Sequence, residues 1–119
     1  MNHEEKAKDL FQSGYNCAQS VFAAYAEELG MDFETALKVS SSFGAGMGRL
    51  REVCGTVSGM FMVVGLALGY STNANKDEKT EHYKRIQYLA AEFEKINGSI
   101  ICRELLGLDH KKDSPTPSD

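Results

Sequence analysis

No tract of basic residues, no apolar run of bilayer length and no closely spaced pair of cysteines occurs in this 119-residue chain, and each absence removes a class of function. With 13 Lys and Arg against 17 Asp and Glu, the net charge of -4 gives no electrostatic reason to expect nucleic acid as a partner. The longest apolar run, Met60 to Leu68, falls far short of the roughly 20 residues that cross a bilayer. No membrane insertion is therefore expected. The first ten residues, MNHEEKAKDL, have neither the apolar core of a secretory signal nor the basic character of a transit peptide. Three cysteines is an odd number, and none forms a C-x-x-C motif. Without an export signal the expectation is reduced thiols, no structural disulfide and a cytoplasmic location. Proline is scarce: both copies lie in the final HKKDSPTPSD, which has no apolar residue and is expected to be a disordered tail over 110–119.

What is present is an ordinary globular composition, 42% apolar and 25% charged, in a chain long enough for one core. Residues 1–109 are expected to form a single domain. Its patterning is helical throughout, with no period-two strand and no internal repeat. Asn2 with Glu5 opens a helix over about His3 to Ser13, and Asn16 caps a second that ends near Gly30, with Cys17 in its first turn. Asp32 caps a third over Phe33 to Ser42. Lys76 to Asn97 forms the longest helix, apolar at Tyr83, Ile86, Leu89, Phe93 and Ile96, and Ser99 caps a short last one that carries Cys102 in its first turn. Between the third and the longest lies the organising stretch, Phe43 to Gly69. From Val53 to Leu68 it holds no charge, so it predicts a helix buried on all sides. Gly55 and Gly59 share one face of it, and Gly65 and Gly69 repeat that spacing, which predicts another helix crossing closely. The fold class is all-α, a compact bundle of five to six helices around this glycine-containing helix.

Three cysteines at three expected helix starts form the chemical signal. Unpaired backbone N–H groups and the helix dipole favour a thiolate there, and thiolates are the nucleophilic and metal-binding form of cysteine. Arg49 and Arg51 precede Cys54, and Arg103 adjoins Cys102, each a cation able to strengthen the effect. The alternating Gly44, Gly46 and Gly48 predict a tight turn, and with Arg49 and Arg51 they form a candidate anion-binding nest. This turn lacks the lysine and hydroxyl of a P-loop, and no strand precedes it. His3, His82 and His110 are expected on solvated surface.

GYNCAQSVF around Cys17, FGAGMGRLREVCGTVSG around Cys54 and SIICRELLG around Cys102 together resemble the bacterial C_GCAxxG_C_C family, described as redox-active. The resemblance spans about residues 7 to 108 and implies a role for all three cysteines. Two departures stand out: Thr56 replaces the usual alanine, and no fourth cysteine follows Cys102. Two readings compete. The first is a thiol redox protein with Cys54 as nucleophile and Cys17 or Cys102 resolving, acting on a small molecule or a redox partner protein. The second is a binding module in which the thiolates of Cys17, Cys54 and Cys102, or two of them with a carboxylate such as Glu52 or Glu104, hold a metal ion or an iron–sulfur cluster. A helical interaction protein with incidental thiols is the third and plainest. A homodimer is compatible with the size, but no heptad seam marks a surface.

Overall fold

A computed structural model describes residues 2–71 and 75–107, and the tail expected over 110–119 lies outside the described residues. Its helices are α1 (His3–Gln12), α2 (Cys17–Ala26), α3 (Phe33–Ser40), a four-residue turn α4 (Gly44–Met47), α5 (Gly55–Leu68), α6 (Lys76–Asn97) and a short α7 (Cys102–Leu105), with a 3₁₀ turn over Ser41–Phe43. Among the described residues there is no strand, only one isolated antiparallel bridge between Val53 and Ile101. The all-α expectation holds. None of these helices is long and apolar enough to cross a membrane.

The caps explain most boundaries. Asn2, Asp32 and Asn75 each accept a hydrogen bond from the backbone N–H three residues on, supplying partners that a first helical turn lacks. Asn16 does the same for Gln19, whose side chain accepts in return from the Asn16 N–H, completing a capping box. The last helix starts later than expected. Ser99 does not cap it directly but accepts from the Ile101 N–H and donates to Glu104, so Cys102 becomes its first residue.

Burial is centred on α2. Phe22, Ala23 and Ala26 pack with Ala36 of α3, and Leu10, Met31, Phe33, Leu37, Met62 and Val63 close around them. The alanines let neighbouring backbones approach, and α5 crosses where its own side chains are smallest. A Cβ added at Gly59 would stand 2.9 Å from the Val21 Cβ. The crossing predicted from Gly55 and Gly59 is therefore made by α2. It does not extend to Gly65: among the described residues, nothing outside the helix's own backbone comes within 4 Å of where a Cβ there would be. Burial of α5 is correspondingly narrower than its composition suggests. Gly55, Val57, Ser58 and Gly59 are buried, while Leu68 is 59% exposed.

One histidine, His82, differs from the expected solvated surface, whereas His3 remains at the surface with a 37% exposed side chain. His82 is buried against Tyr70, and His3 bonds Glu28 at 2.8 Å and stacks on Tyr25. His110 lies outside the described residues.

Candidate functional site

The cysteines come together through backbone, because three close approaches tie three distant segments to one point. Residues 51–54 run antiparallel to residues 100–103, with the Cys54 N–H donating to Ile100 (2.7 Å), the Cys102 N–H to Glu52 (2.5 Å) and the Arg103 N–H to Arg51 (3.2 Å). That short ladder sets Cys54 beside Cys102. Gly55, the residue after Cys54, presses on α2 so closely that a Cβ there would lie 3.1 Å from the Cβ of Cys17. Cys17 and Cys102 are the first residues of α2 and α7, and Cys54 is the N-cap of α5. Together the three side chains line one small cavity of about 70 Å³, with Ala45, Gly46, Gly55, Leu105 and Leu106 completing its wall.

The glycine turn forms one side of this cavity, in a conformation that the sequence only partly predicts. From Ala45 to Arg49 every residue has positive φ, and so does Arg51. With Gly48 N–H donating to Gly44 at 2.9 Å, α4 is a single left-handed helical turn. Such a turn costs about 1–2 kcal/mol for each residue with a Cβ. Here Ala45, Met47, Arg49 and Arg51 bear that cost. Gly46 is required sterically as well, since a Cβ on it would stand 2.5 Å from the Cβ of Cys102 and 2.8 Å from the Cα of Arg51. Strain of this kind persists where the surrounding structure over-determines it, and it concentrates at functional sites.

The arginines are distributed differently from their order in sequence. Arg51 is fully buried and directs Nη1 at the sulfur of Cys102, 3.9 Å away, across 51 positions of chain. Arg103, although adjacent to Cys102, pairs instead with Glu52 at 3.2 Å and donates to the Arg51 carbonyl at 3.3 Å. A helix side chain leaves its axis at about 100° from its neighbour's, so adjacency seldom means a shared target. Neither carboxylate considered as a metal ligand faces the cavity alone: Glu52 holds Arg103 and Glu104 accepts from Ser99.

The surroundings of Cys17 disfavour its thiolate. Burial raises its pKa above the ordinary 9.0, the nearby sulfur of Cys54 adds to the rise and Cys102 adds less, while the Thr56 hydroxyl acts in the opposite direction. The lowering expected from its place at a helix start is therefore reversed for this cysteine. Desolvation disfavours the thiolate more than the first-turn N–H groups favour it. Thr56, the departure from the family's alanine, thus has a defined contact. Sequence reading noted the substitution without the means to see its partner.

Cys17 also opens outward. A second cavity of about 320 Å³, mostly apolar, lies between α1, α2 and α5 and is lined by Ala7, Phe11, Val21, Cys17 and Thr56, with Lys8 at its edge. Nothing in the helical periodicity singled out Lys8 or Phe11 for this position. No three of the described His, Cys, Asp and Glu side chains are grouped so that they could hold a metal ion. Among the described residues, the side chains around the cavity therefore do not offer a ligand set for a metal ion or an iron–sulfur cluster.

Comparison with known proteins agrees with the motifs. The family model described as "Putative redox-active protein (C_GCAxxG_C_C)" matches residues 15–118, a span that includes all three cysteines. No curated protein and no solved structure matches the chain.

Proposed function

The chain belongs to the C_GCAxxG_C_C family of redox-active proteins, and from that premise we propose that it is a thiol–disulfide exchange protein whose reacting pair is Cys54 and Cys17. The observation that carries this reading is the single cavity lined by sulfurs from three separate elements. Cys54 is the nucleophile. It is the N-cap of a 14-residue helix whose first turn bears no acidic side chain, and it lines the cavity shared with Cys17. Its thiolate attacks one sulfur of a substrate disulfide and expels the other as a thiolate, leaving a mixed disulfide on Cys54. Cys17 resolves. It loses its proton, attacks the Cys54 sulfur and releases the second substrate thiolate, so that two electrons pass from the protein to the substrate and a Cys17–Cys54 disulfide remains. A reducing thiol reaches that disulfide at Cys17 through the apolar cleft between α1, α2 and α5.

Cys102 is the third member of the site and sits deepest, buried with Arg51 beside it. It can replace Cys17 as the resolving sulfur. Of the glycine turn, Gly46 lines the wall beside Ala45, and Arg51 after it directs its guanidinium at the Cys102 sulfur. A cytoplasmic, reducing location suits this chemistry, with a small disulfide or a redox partner protein as the substrate.

The test uses an aromatic disulfide reagent whose released thiolate is coloured. Wild-type protein should release two equivalents per chain and retain no adduct. A Cys17→Ser, Cys102→Ser double variant should stop after one equivalent, with the adduct mapped to Cys54 by mass spectrometry. Adducts on all three cysteines of the wild type, formed at equal rates, would sink the proposal in favour of incidental thiols.

A further inference from the structure

Of the three cysteines, only Cys17 lines two cavities: the inner one of about 70 Å³ shared with Cys54 and Cys102, and the outer cleft of about 320 Å³. A reagent in the cleft therefore meets Cys17, whereas Cys102 is buried. What the cleft offers such a reagent is mainly hydrocarbon, from Ala7 and Phe11 of α1 and Val21 of α2. Its hydroxyls already have partners. Ser20 donates to the Tyr15 carbonyl at 3.4 Å, and Thr56 donates to Cys17. Among the described residues the one charge at the edge, Lys8, lies 3.4 Å from the Glu4 carboxylate, so an incoming carboxylate finds no uncompensated cation. An unpaired carboxylate in such a cleft carries a large desolvation cost. At the roughly 30 Å³ that a water takes, the space holds on the order of ten non-hydrogen atoms, the size of one short chain.

We propose that this cleft seats the reductant of the Cys17–Cys54 disulfide, and that the reductant is a dithiol carried on a short, uncharged alkyl chain. The inference rests on the exchange reaction proposed above and names the compound class that completes its cycle. Three features select that class. A cysteine stands in the wall, so the occupant has to present sulfur to react there. The apolar lining and the already paired Lys8 disfavour thiols that carry carboxylates, such as glutathione. The space admits a single chain, so once a first sulfur has joined Cys17 a second thiol molecule has no room beside it. Both reducing equivalents then come from one molecule. A thiolate of the dithiol attacks the Cys17 sulfur and expels Cys54 as a thiolate, which takes up a proton. The second thiol of that molecule loses its proton and attacks the reagent sulfur bonded to Cys17. It leaves as a cyclic disulfide, and Cys17 departs as a thiolate and is protonated. Two electrons pass from the dithiol to the protein, and both protein thiols are restored.

The test starts from protein oxidised at low concentration, its disulfide mapped by mass spectrometry. Reduction by dihydrolipoamide and by dithiothreitol is followed separately as the appearance of protein thiols. Both reagents are dithiols that close a ring, so the ratio of their rates, divided by the same ratio on a small reference disulfide, isolates what the cleft contributes. That corrected ratio should favour dihydrolipoamide by about 10-fold or more, because even one methylene in an apolar pocket is worth that much. Dihydrolipoate, the same chain ending in a carboxylate, should be slower than the amide. Phe11→Glu alters an exposed position of the wall, so it should keep wild-type helicity by circular dichroism while removing the preference. No preference in protein whose Cys17–Cys54 disulfide is confirmed overturns this inference and leaves the exchange reaction standing, as does a preference that Phe11→Glu leaves intact. Dihydrolipoate reacting as fast as the amide overturns the uncharged chain. Protein that forms no intrachain disulfide overturns both the inference and the reading beneath it.

Discussion

Burial and the neighbouring sulfurs both oppose the ionisation of Cys17. This has a consequence for stability. Below the ordinary pKa of 9.0 the folded and unfolded chains both hold the Cys17 proton, so its contribution is fully present. Above that value the unfolded chain loses the proton first and binds fewer protons than the native state, so stability falls as pH rises through the folded pKa. Thermal unfolding between roughly pH 8 and 10.5 should show this fall, and Cys17→Ser, which has no proton to lose in that range, should flatten it. An unchanged slope in the variant would mean that burial does not raise the pKa. Arg51 makes a related point about reading residues. Its charge was legible from sequence, but its target was not, because the contact with Cys102 spans 51 positions and depends on the ladder between residues 51–54 and 100–103.

At the scale of elements, the left-handed turn and the capping box position the site, and each yields a mutational contrast. Gly46 and Gly48 have similar backbone angles but different surroundings. A Cβ at Gly46 would collide with Cys102 and Arg51, whereas one at Gly48 would meet only the Ser42 carbonyl at 3.7 Å. Gly46→Ala should therefore lower unfolding free energy by about 3 kcal/mol or more, combining conformational and packing costs. Gly48→Ala should cost only about 1 kcal/mol. Urea denaturation of the two proteins compares them directly, and equal losses would mean that the close approach at Gly46 is not tight. Asn16 closes the capping box before Cys17 and also donates to the Ser41 carbonyl, so it ties α2 to the segment leading into the turn. Asn16→Ala should cost about 1–2 kcal/mol by the same measurement and should speed alkylation of Cys17 by loosening its helix end. A loss within a few tenths of a kcal/mol of zero would show that the cap is dispensable. These caps were readable from sequence, because capping is a local interaction between residues three apart. The handedness of Ala45–Arg49 was readable only in part: alternating glycines signal positive φ at their own positions, but Ala45, Met47, Arg49 and Arg51 take it from tertiary context.

For the whole molecule, sequence periodicity gave the helices, their order and most of their ends, and left burial to the structure. α5 is the most apolar segment, yet α2, poorer in large side chains, is the helix around which the others pack. The difference arises because small residues decide where backbones can meet, and Ala18, Ala23 and Ala26 place that meeting on α2. That three cysteines lie near helix starts was legible in the chain. Their convergence on one cavity was not, since intervals of 37 and 48 residues constrain nothing in space. The most direct measurement of the central claim is peptide mapping of wild-type protein after mild oxidation at low concentration. The account predicts loss of two thiols per chain and one intrachain disulfide that joins Cys54 to Cys17, or to Cys102 when Cys17 is replaced by serine. Three thiols still free after oxidation, or disulfides formed only between chains, would contradict it.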